Sequence, residues 1–243
     1  MDGLALRRLE WDSEFFAFPV FRLDIPCSGA ETVSCERIKD LLSQVPRGGA
    51  CYIFVAGFEP DGHIWTVLAD CGAVGFGTRV VYRGGVGPAS PKSHPQVRRL
   101  EPGDMGALDL AVGAGAFSRF SRDPVFAPHY GRLYRRWLEN CFAIQDAGRG
   151  VVLGFQEDGV CQGMVSASFG GDACKIELMA VDPRFRRQGI GETLMESVQD
   201  MAVQRGCLAV TVVTQGENVG ACALYQSQGL AVAEKSSVFH FHQ

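Results

Sequence analysis

Apolar positions along this chain follow two rhythms, one of short β-branched runs and one of helical spacings of three and four. Residues 150–156, 160–168 and 173–181 are three such runs in succession, broken by Glu157-Asp158-Gly159 and by Gly170-Gly171-Asp172. Runs of that length with those turn residues predict an antiparallel three-strand meander. Ahead of it, residues 97–100 read as a strand, and Asp104 stands where an N-cap is wanted for a helix with Leu108 and Val112 on its apolar face. A second helix, from about His129 to Phe142, carries Leu133, Trp137, Leu138 and Cys141 as a core stripe. Behind the meander a helix is predicted from Gly191 to about Arg205, with Leu194, Val198 and Met201 on one face and Gly206 placed for a left-handed C-cap. A strand over 208–214, a helix over 220–227 ending near Gly229, and closing strand material over 230–241 complete the pattern.

Residues 84–96 are polar and rich in Gly, Pro and Ser, which marks a domain boundary. Residues 1–95 then form a small α/β domain, with strands in 50–58 and 80–82 and a helix in 32–45, and residues 96–243 form the second domain. Its N-terminal aromatics, Trp11, Phe15, Phe16 and Phe18, are too dense for a solvated tail and must be buried or bind something.

Composition narrows the partners. In 243 residues, 47% are hydrophobic and 21% charged, and the net charge of −4 is spread without blocks, so neither a nucleic-acid nor an anionic-membrane footprint is present. The first twelve residues carry Arg7, Arg8 and Glu10 and lack the apolar run of a signal peptide, and no stretch approaches the roughly 18 apolar residues of a membrane span. A cytoplasmic protein with a small-molecule substrate is the expectation, and a homodimer is open to it. The nine cysteines are scattered and never spaced as Cys-x-x-Cys, which predicts reduced thiols without zinc or a disulfide framework.

The chemistry concentrates in one segment, Glu177-Leu-Met-Ala-Val-Asp-Pro-Arg-Phe-Arg-Arg-Gln-Gly-Ile-Gly191, where a strand enters a helix through a basic, glycine-bearing loop. Gly189 and Gly191 let backbone N–H groups approach a ligand, the helix N-terminus adds its positive end, and Arg186 and Arg187 supply counter-charge. A diphosphate suits such a cradle, yet neither a P-loop nor a dinucleotide-fold glycine pattern is present. A strand-to-helix turn with incidental arginines is the bland alternative.

The Arg186-x-x-Gly189-x-Gly191 pattern after Val-Asp-Pro resembles the acetyl-CoA pyrophosphate loop of the GNAT N-acetyltransferases, and Asn218-x-x-Ala221-x-x-Leu224-Tyr225 followed by Gly229 resembles the second half of that family's site. The resemblance implies an α/β (α+β) GNAT fold, a mixed and mostly antiparallel sheet flanked by helices, beside the smaller N-terminal domain. It implies that acetyl-CoA is held by Met179, Ala180 and Val181 on a splayed strand and by Arg186, Arg187, Gln188, Gly189, Ile190, Gly191, Asn218, Ala221 and Leu224. Tyr225 would be the general acid that protonates the departing thiolate, unless it simply packs its helix onto the sheet. Glu177 is a candidate base for the acceptor amine, against the alternative of a solvated strand-face carboxylate.

The aromatic N-terminus, Ser118-Arg119-Phe120, Tyr130-Gly-Arg132-Leu-Tyr134 and Thr214-Gln215-x-x-Asn218 look, in that order, like the dTDP-fucosamine (dTDP-4-amino-4,6-dideoxygalactose) acetyltransferases. By that likeness the N-terminal domain contributes to the acceptor site, and Ser118, Arg119, Arg122, Phe126, Tyr130 and Tyr134, with Arg132, border a pocket for an amino-sugar nucleotide. His129 reads as a surface or packing residue. His240 and His242 share a strand face, read as the exposed face of the last strand, and no metal is expected. The competing readings are a GNAT enzyme acting on another amine, such as a protein N-terminus, a polyamine or an antibiotic, and a catalytically silent CoA-binding domain.

Overall fold

The computed structural model describes residues 4–26, 33–57, 62–87 and 94–243, so residues 88–93 of the 84–96 seam and the ends of two expected N-terminal elements lie outside the described residues. The chain divides into two compact units. The first holds residues 1–80, 215–217 and 234–243, and the second holds 81–214 and 218–233.

In the first unit β1 (Arg7–Arg8) pairs antiparallel with β2 (Val20–Ile25), and β2 runs parallel to β3 (Ala50–Ala56). That parallel step is bridged by α2 (Cys35–Leu42), whose N-cap Ser34 accepts a hydrogen bond from the Arg37 N–H at 3.2 Å. The end of the chain returns as β10 (Ala231–His242), which pairs antiparallel with β3 from Ser236↔Ala56 to His242↔Ala50. With neighbours on both edges, β3 is apolar along its whole length, and Ile53 and Val55 join Leu23, Ile38, Leu42, Leu68 and Phe239 in one core. Two short helices lie outside the sequence expectation, α1 (Glu10–Phe16) and α3 (His63–Asp70). On α1, Phe16 is buried, whereas Trp11 stays 46% exposed and stacks on Phe15 at 5.2 Å. His240 corrects an expectation: it has no exposed surface and lies against Tyr52 and Phe76, at 5.0 and 4.7 Å between ring centroids, while His242 is partly exposed.

β4 (Val74–Gly85) leads into the second unit, where β5 (Val97–Arg99) is followed by α4 (Met105–Ala114), the single turn α5 (Arg119–Arg122) and α6 (Tyr130–Asp146). The meander is β6 (Gly150–Glu157), β7 (Val160–Gly170) and β8 (Ala173–Val181). Asp158 and Gly159, at φ 50° and 77°, make the tight turn between the first two with the twist a hairpin requires. Then follow α7 (Ile190–Gln204), β9 (Ala209–Gln215) and α8 (Val219–Ser227), and the strands order as β9-β8-β7-β6-β5. The result is a mixed, mostly antiparallel sheet flanked by helices, the GNAT fold. Asp104 caps α4 as expected, through the Ala107 N–H at 3.2 Å, but the buried face of that helix is Ala107, Leu110 and Ala111 rather than Leu108 and Val112. On α7 the buried stripe is Leu194, Val198 and Ala202, with Met201 only partly covered.

One irregularity positions the site. The β7–β8 ladder shifts register between Ser166↔Leu178 and Ala167↔Ile176, leaving Glu177 as an extra residue on β8. The parallel β8–β9 ladder runs from Ala173↔Ala209 to Ile176↔Val212 and ends at this bulge. Beyond it, β8 pairs with β7 on one side and leaves its other edge open. The buried Ser166 hydroxyl accepts the Leu178 N–H at 3.1 Å, satisfying the backbone group that the bulge displaces. Replacing Ser166 with Ala should leave that donor buried and unpaired and cost about 1–3 kcal/mol, read as a lower midpoint of denaturant unfolding with an unchanged slope.

Candidate functional site

Beside the open edge of β8 lies a cleft of about 500 Å³, lined by Met179, Ala180 and Val181 on one wall, by the β8–α7 loop and first turn of α7, and by α8. Gly113, Ala114 and Phe117, at and just after the end of α4, complete it. Of the twelve residues expected to hold a coenzyme, eleven line this cleft, and Gln188 alone points elsewhere, exposed on the loop. Tyr225 lines it as well.

The loop takes its shape from a short capping system. Asp182 accepts the Arg184 N–H at 2.9 Å, opening a 3-10 turn over Pro183–Phe185, and clasps the Arg184 guanidinium at 2.7 Å. Arg186 donates through Nε to the Val181 carbonyl at 3.1 Å. Arg187 and Gly189 then adopt left-handed backbone, φ 65° and 81°, which turns the chain into α7 with Gly189 as its N-cap. The first amides of α7 have no partner within the helix, so they and the helix dipole face the cleft beside two arginines, an arrangement suited to a diphosphate. Gly191 makes the approach of α7 and α8 easy: a Cβ there would lie 3.1 Å from Leu224 Cδ2, and that leucine would have to shift to admit it.

On α8, Asn218 caps the helix through the Ala221 N–H at 3.2 Å while also lining the cleft. Tyr225 is nearly fully covered, and burial first, then the nearby Cys222, pushes its phenol pKa far up, so it remains protonated. Its ring sits 5.7 Å from that of Tyr82, a neighbour that sequence reasoning did not single out. Burial, and then a hydrogen bond with the Cys222 thiol, push the Tyr82 phenol up to about 12. The two phenols thus stay protonated side by side.

Other expected residues stand differently. Glu177, the bulge residue, is held at 2.8 Å by both the Ser168 hydroxyl and the Lys175 ammonium and does not line the cleft, so its carboxylate is already engaged. Phe126 has no exposed surface and packs edge-on to Phe120 at 5.7 Å; it is a core ring, not a stacking platform for a ligand. Ser118 and Tyr134 are buried, and Tyr134 fills the space that a side chain at Gly115 would need. The Tyr130 hydroxyl donates to the Val112 carbonyl, fastening α6 to α4. Arg119 lies over the Phe120 ring at 4.2 Å, and Arg122 and Arg132 are exposed. None of Ser118, Arg119, Arg122, Phe126, Tyr130 and Tyr134 lines the cleft or the neighbouring one of about 560 Å³, which shares Arg186, Ala180 and Val181 with it and adds Arg98, Asp109 and Cys161. The Arg184 guanidinium and backbone N–H, both bonded to Asp182, hold its carboxyl down at about 2. A carbon-detected titration should place its midpoint near that value, and Arg184→Ala should raise it part of the way toward the ordinary carboxylate range, since the backbone N–H at 184 still donates to it.

Residues 116–230 match the model of the Acetyltransferase (GNAT) family. Over 93 residues the chain is 29% identical to the ribosomal protein bS18-alanine N-acetyltransferase of Escherichia coli strain K12, a match covering 38% of this chain and 63% of that protein, just under two thirds of its length. Over 145 residues it is 28% identical to the spore coat polysaccharide biosynthesis protein SpsD of Bacillus subtilis, covering 58% of this chain and 48% of that one. Among solved structures, a GCN5-related N-acetyltransferase from Sphaerobacter thermophilus is similar in fold, with a TM-score of 0.59 at 16% identity over 97% of this chain and 75% of that one. On a GNAT fold, then, residues 116–230 carry the sequence pattern of the acetyltransferase (GNAT) family.

Proposed function

We propose that this protein transfers the acetyl group of acetyl-CoA to the amine of a small acceptor. The observation that carries the reading is the open edge of β8 past Glu177, facing a cleft that is also lined by the arginine-bearing β8–α7 loop and the N-terminal turn of α7. Pantetheine amides pair with the free backbone groups of Met179, Ala180 and Val181 as an added strand would, and the diphosphate rests on the amides of Gly189, Ile190 and Gly191 with Arg186 and Arg187 as counter-charges. This division of labour leaves the thioester end near Tyr225 and the Gly113–Phe117 side of the cleft.

Chemistry then requires a neutral amine to attack the thioester carbonyl and a proton for the departing thiolate. Tyr225 supplies that proton, since its buried phenol is held neutral and lines the cleft. With Glu177 engaged by Ser168 and Lys175, the acceptor loses its proton to solvent or through water. The acceptor we favour is the 4-amine of a dTDP-4-amino-4,6-dideoxy sugar, supported by the order of the motifs around residues 9–18, 118–134 and 214–218 and by partial similarity to a polysaccharide biosynthesis protein. The similarity to a protein N-terminal acetyltransferase makes a peptide amine the second reading.

Release of free CoA thiol from acetyl-CoA with dTDP-4-amino-4,6-dideoxygalactose, beside a panel of peptides and simple amines, decides between them. Turnover with the sugar nucleotide alone is expected; turnover only with peptides would transfer the assignment to the second reading, and acetyl-CoA binding without any turnover would leave a silent CoA-binding domain. Tyr225→Phe should lower kcat about 10²–10⁴-fold while acetyl-CoA affinity stays within a few-fold. Because burial raises the Tyr225 pKa, the wild-type kcat should hold level as pH rises to about 10, the ordinary tyrosine value, with no alkaline fall from this group.

A further inference from the structure

The first unit contains a pair of thiols that the proposed reaction does not use. Cys35 is the first residue of α2 and Cys71 is the C-cap of α3, thirty-six positions on, and their Sγ atoms lie 3.4 Å apart. Cys71 Sγ also points at the Cys35 carbonyl, at 3.6 Å. Both side chains are partly exposed and pack against the rim of the core that holds Ile38, Leu41, Ile64 and Leu68. Four other described cysteines, Cys51, Cys141, Cys174 and Cys207, are buried. Burial pushes the Cys51 and Cys174 thiols up to about 12 and Cys141 to about 11, which keeps them protonated and inert.

We propose that Cys35 and Cys71 are a dithiol modification site that exchanges with low-molecular-weight disulfides of the glutathione class and closes to an intramolecular disulfide. Two thiols already in contact, on side chains anchored at helix ends, reach disulfide bonding distance by side-chain torsion. The order of events follows from the surroundings. Burial and the facing Cys35 raise the Cys71 thiol to about 11, so Cys71 retains its proton at first. Cys35, the first residue of an eight-residue helix, makes the first attack as its thiolate. That thiolate attacks one sulfur of the disulfide, forming a Cys35 mixed disulfide and expelling one small thiolate. Cys71 then gives its proton to solvent, attacks the Cys35 sulfur and expels the second. Two protein thiols are oxidised by two electrons, and the small disulfide is reduced to two thiols.

The cross-link closes a loop that contains β3 and α3, so it restricts the unfolded chain and raises the unfolding temperature of the oxidised protein by several degrees. The test incubates the full-length protein, still folded by circular dichroism, with oxidised glutathione. Expected are an intact mass lower by two hydrogens, a proteolytic peptide joining Cys35 to Cys71, and reversal by dithiothreitol. Cys71→Ser should stop at a lasting glutathione adduct on Cys35, and Cys35→Ser should give neither cross-link nor adduct at Cys71. Both thiols remaining free to alkylation, separate adducts without a link, or a link to any other cysteine would overturn the proposal. Because the mass readout on the wild-type protein stands alone, a variant that fails to fold does not remove the test.

Discussion

The arrangement of the second unit depends on where one parallel ladder stops. β8 and β9 share hydrogen bonds for four residue pairs and part at Ile176↔Val212, where the register of the β7–β8 ladder also slips by one residue. A bulge bends and twists its strand, so a single extra residue, Glu177, both ends the pairing and opens the wedge in which the cleft sits. The bulge is tolerable because Ser166 satisfies the displaced amide and because Ser168 and Lys175 hold the extra carboxylate. What remains open is backbone that can still accept a strand-like partner, and it borders solvent, so its unpaired groups are hydrated until something replaces the water.

The walls of the wedge are set by close approaches as much as by the bulge. Gly163 lets α7 settle against β7, since a Cβ there would lie 2.8 Å from Ile190 Cγ2, and Gly191 does the same between α7 and α8. Far from the cleft, α6 is tied to the sheet by Gln145, whose buried amide donates to the Leu100 carbonyl at 3.0 Å and accepts the Val152 N–H at 2.7 Å. That glutamine holds the start of the meander at the end opposite the open edge, so the sheet diverges only where the bulge allows.

Much of this was legible in the sequence, and the exceptions have physical causes. The meander could be read because Asp158-Gly159 and Gly170-Gly171 leave little choice of turn, and the β8–α7 loop because glycines and arginines are concentrated in one strand-to-helix connection. The helices α1 and α3 escaped because each is short: Glu10–Phe16 spans two turns of mixed aromatic and acidic residues, and His63–Asp70 offers a single i, i+3, i+4 set, Ile64, Val67 and Leu68, too brief to stand out as a period. Phe126 and Tyr134 looked like ligand-facing aromatics because sequence gives ring and neighbours but not burial, and both turned inward to fill the space around Phe120 and Gly115. His240 misled in the opposite sense, a polar residue on the last strand that the tertiary structure buries between aromatic rings. Gln145 gave no signal at all, since a glutamine late in a helix reads as solvated until the Leu100 carbonyl and the Val152 N–H are placed beside it.

One wall of the cleft consists of main chain, and main chain is the same in every protein that folds this way. An inhibitor that reached only the edge of β8 and the amides of α7 would meet nothing that distinguishes this molecule from distant relatives of the same architecture. Discrimination has to be sought in side chains, such as Phe117 in the cleft wall and Tyr82 beside Tyr225. A fold can likewise be kept at 16% identity, because most substitutions leave backbone geometry untouched.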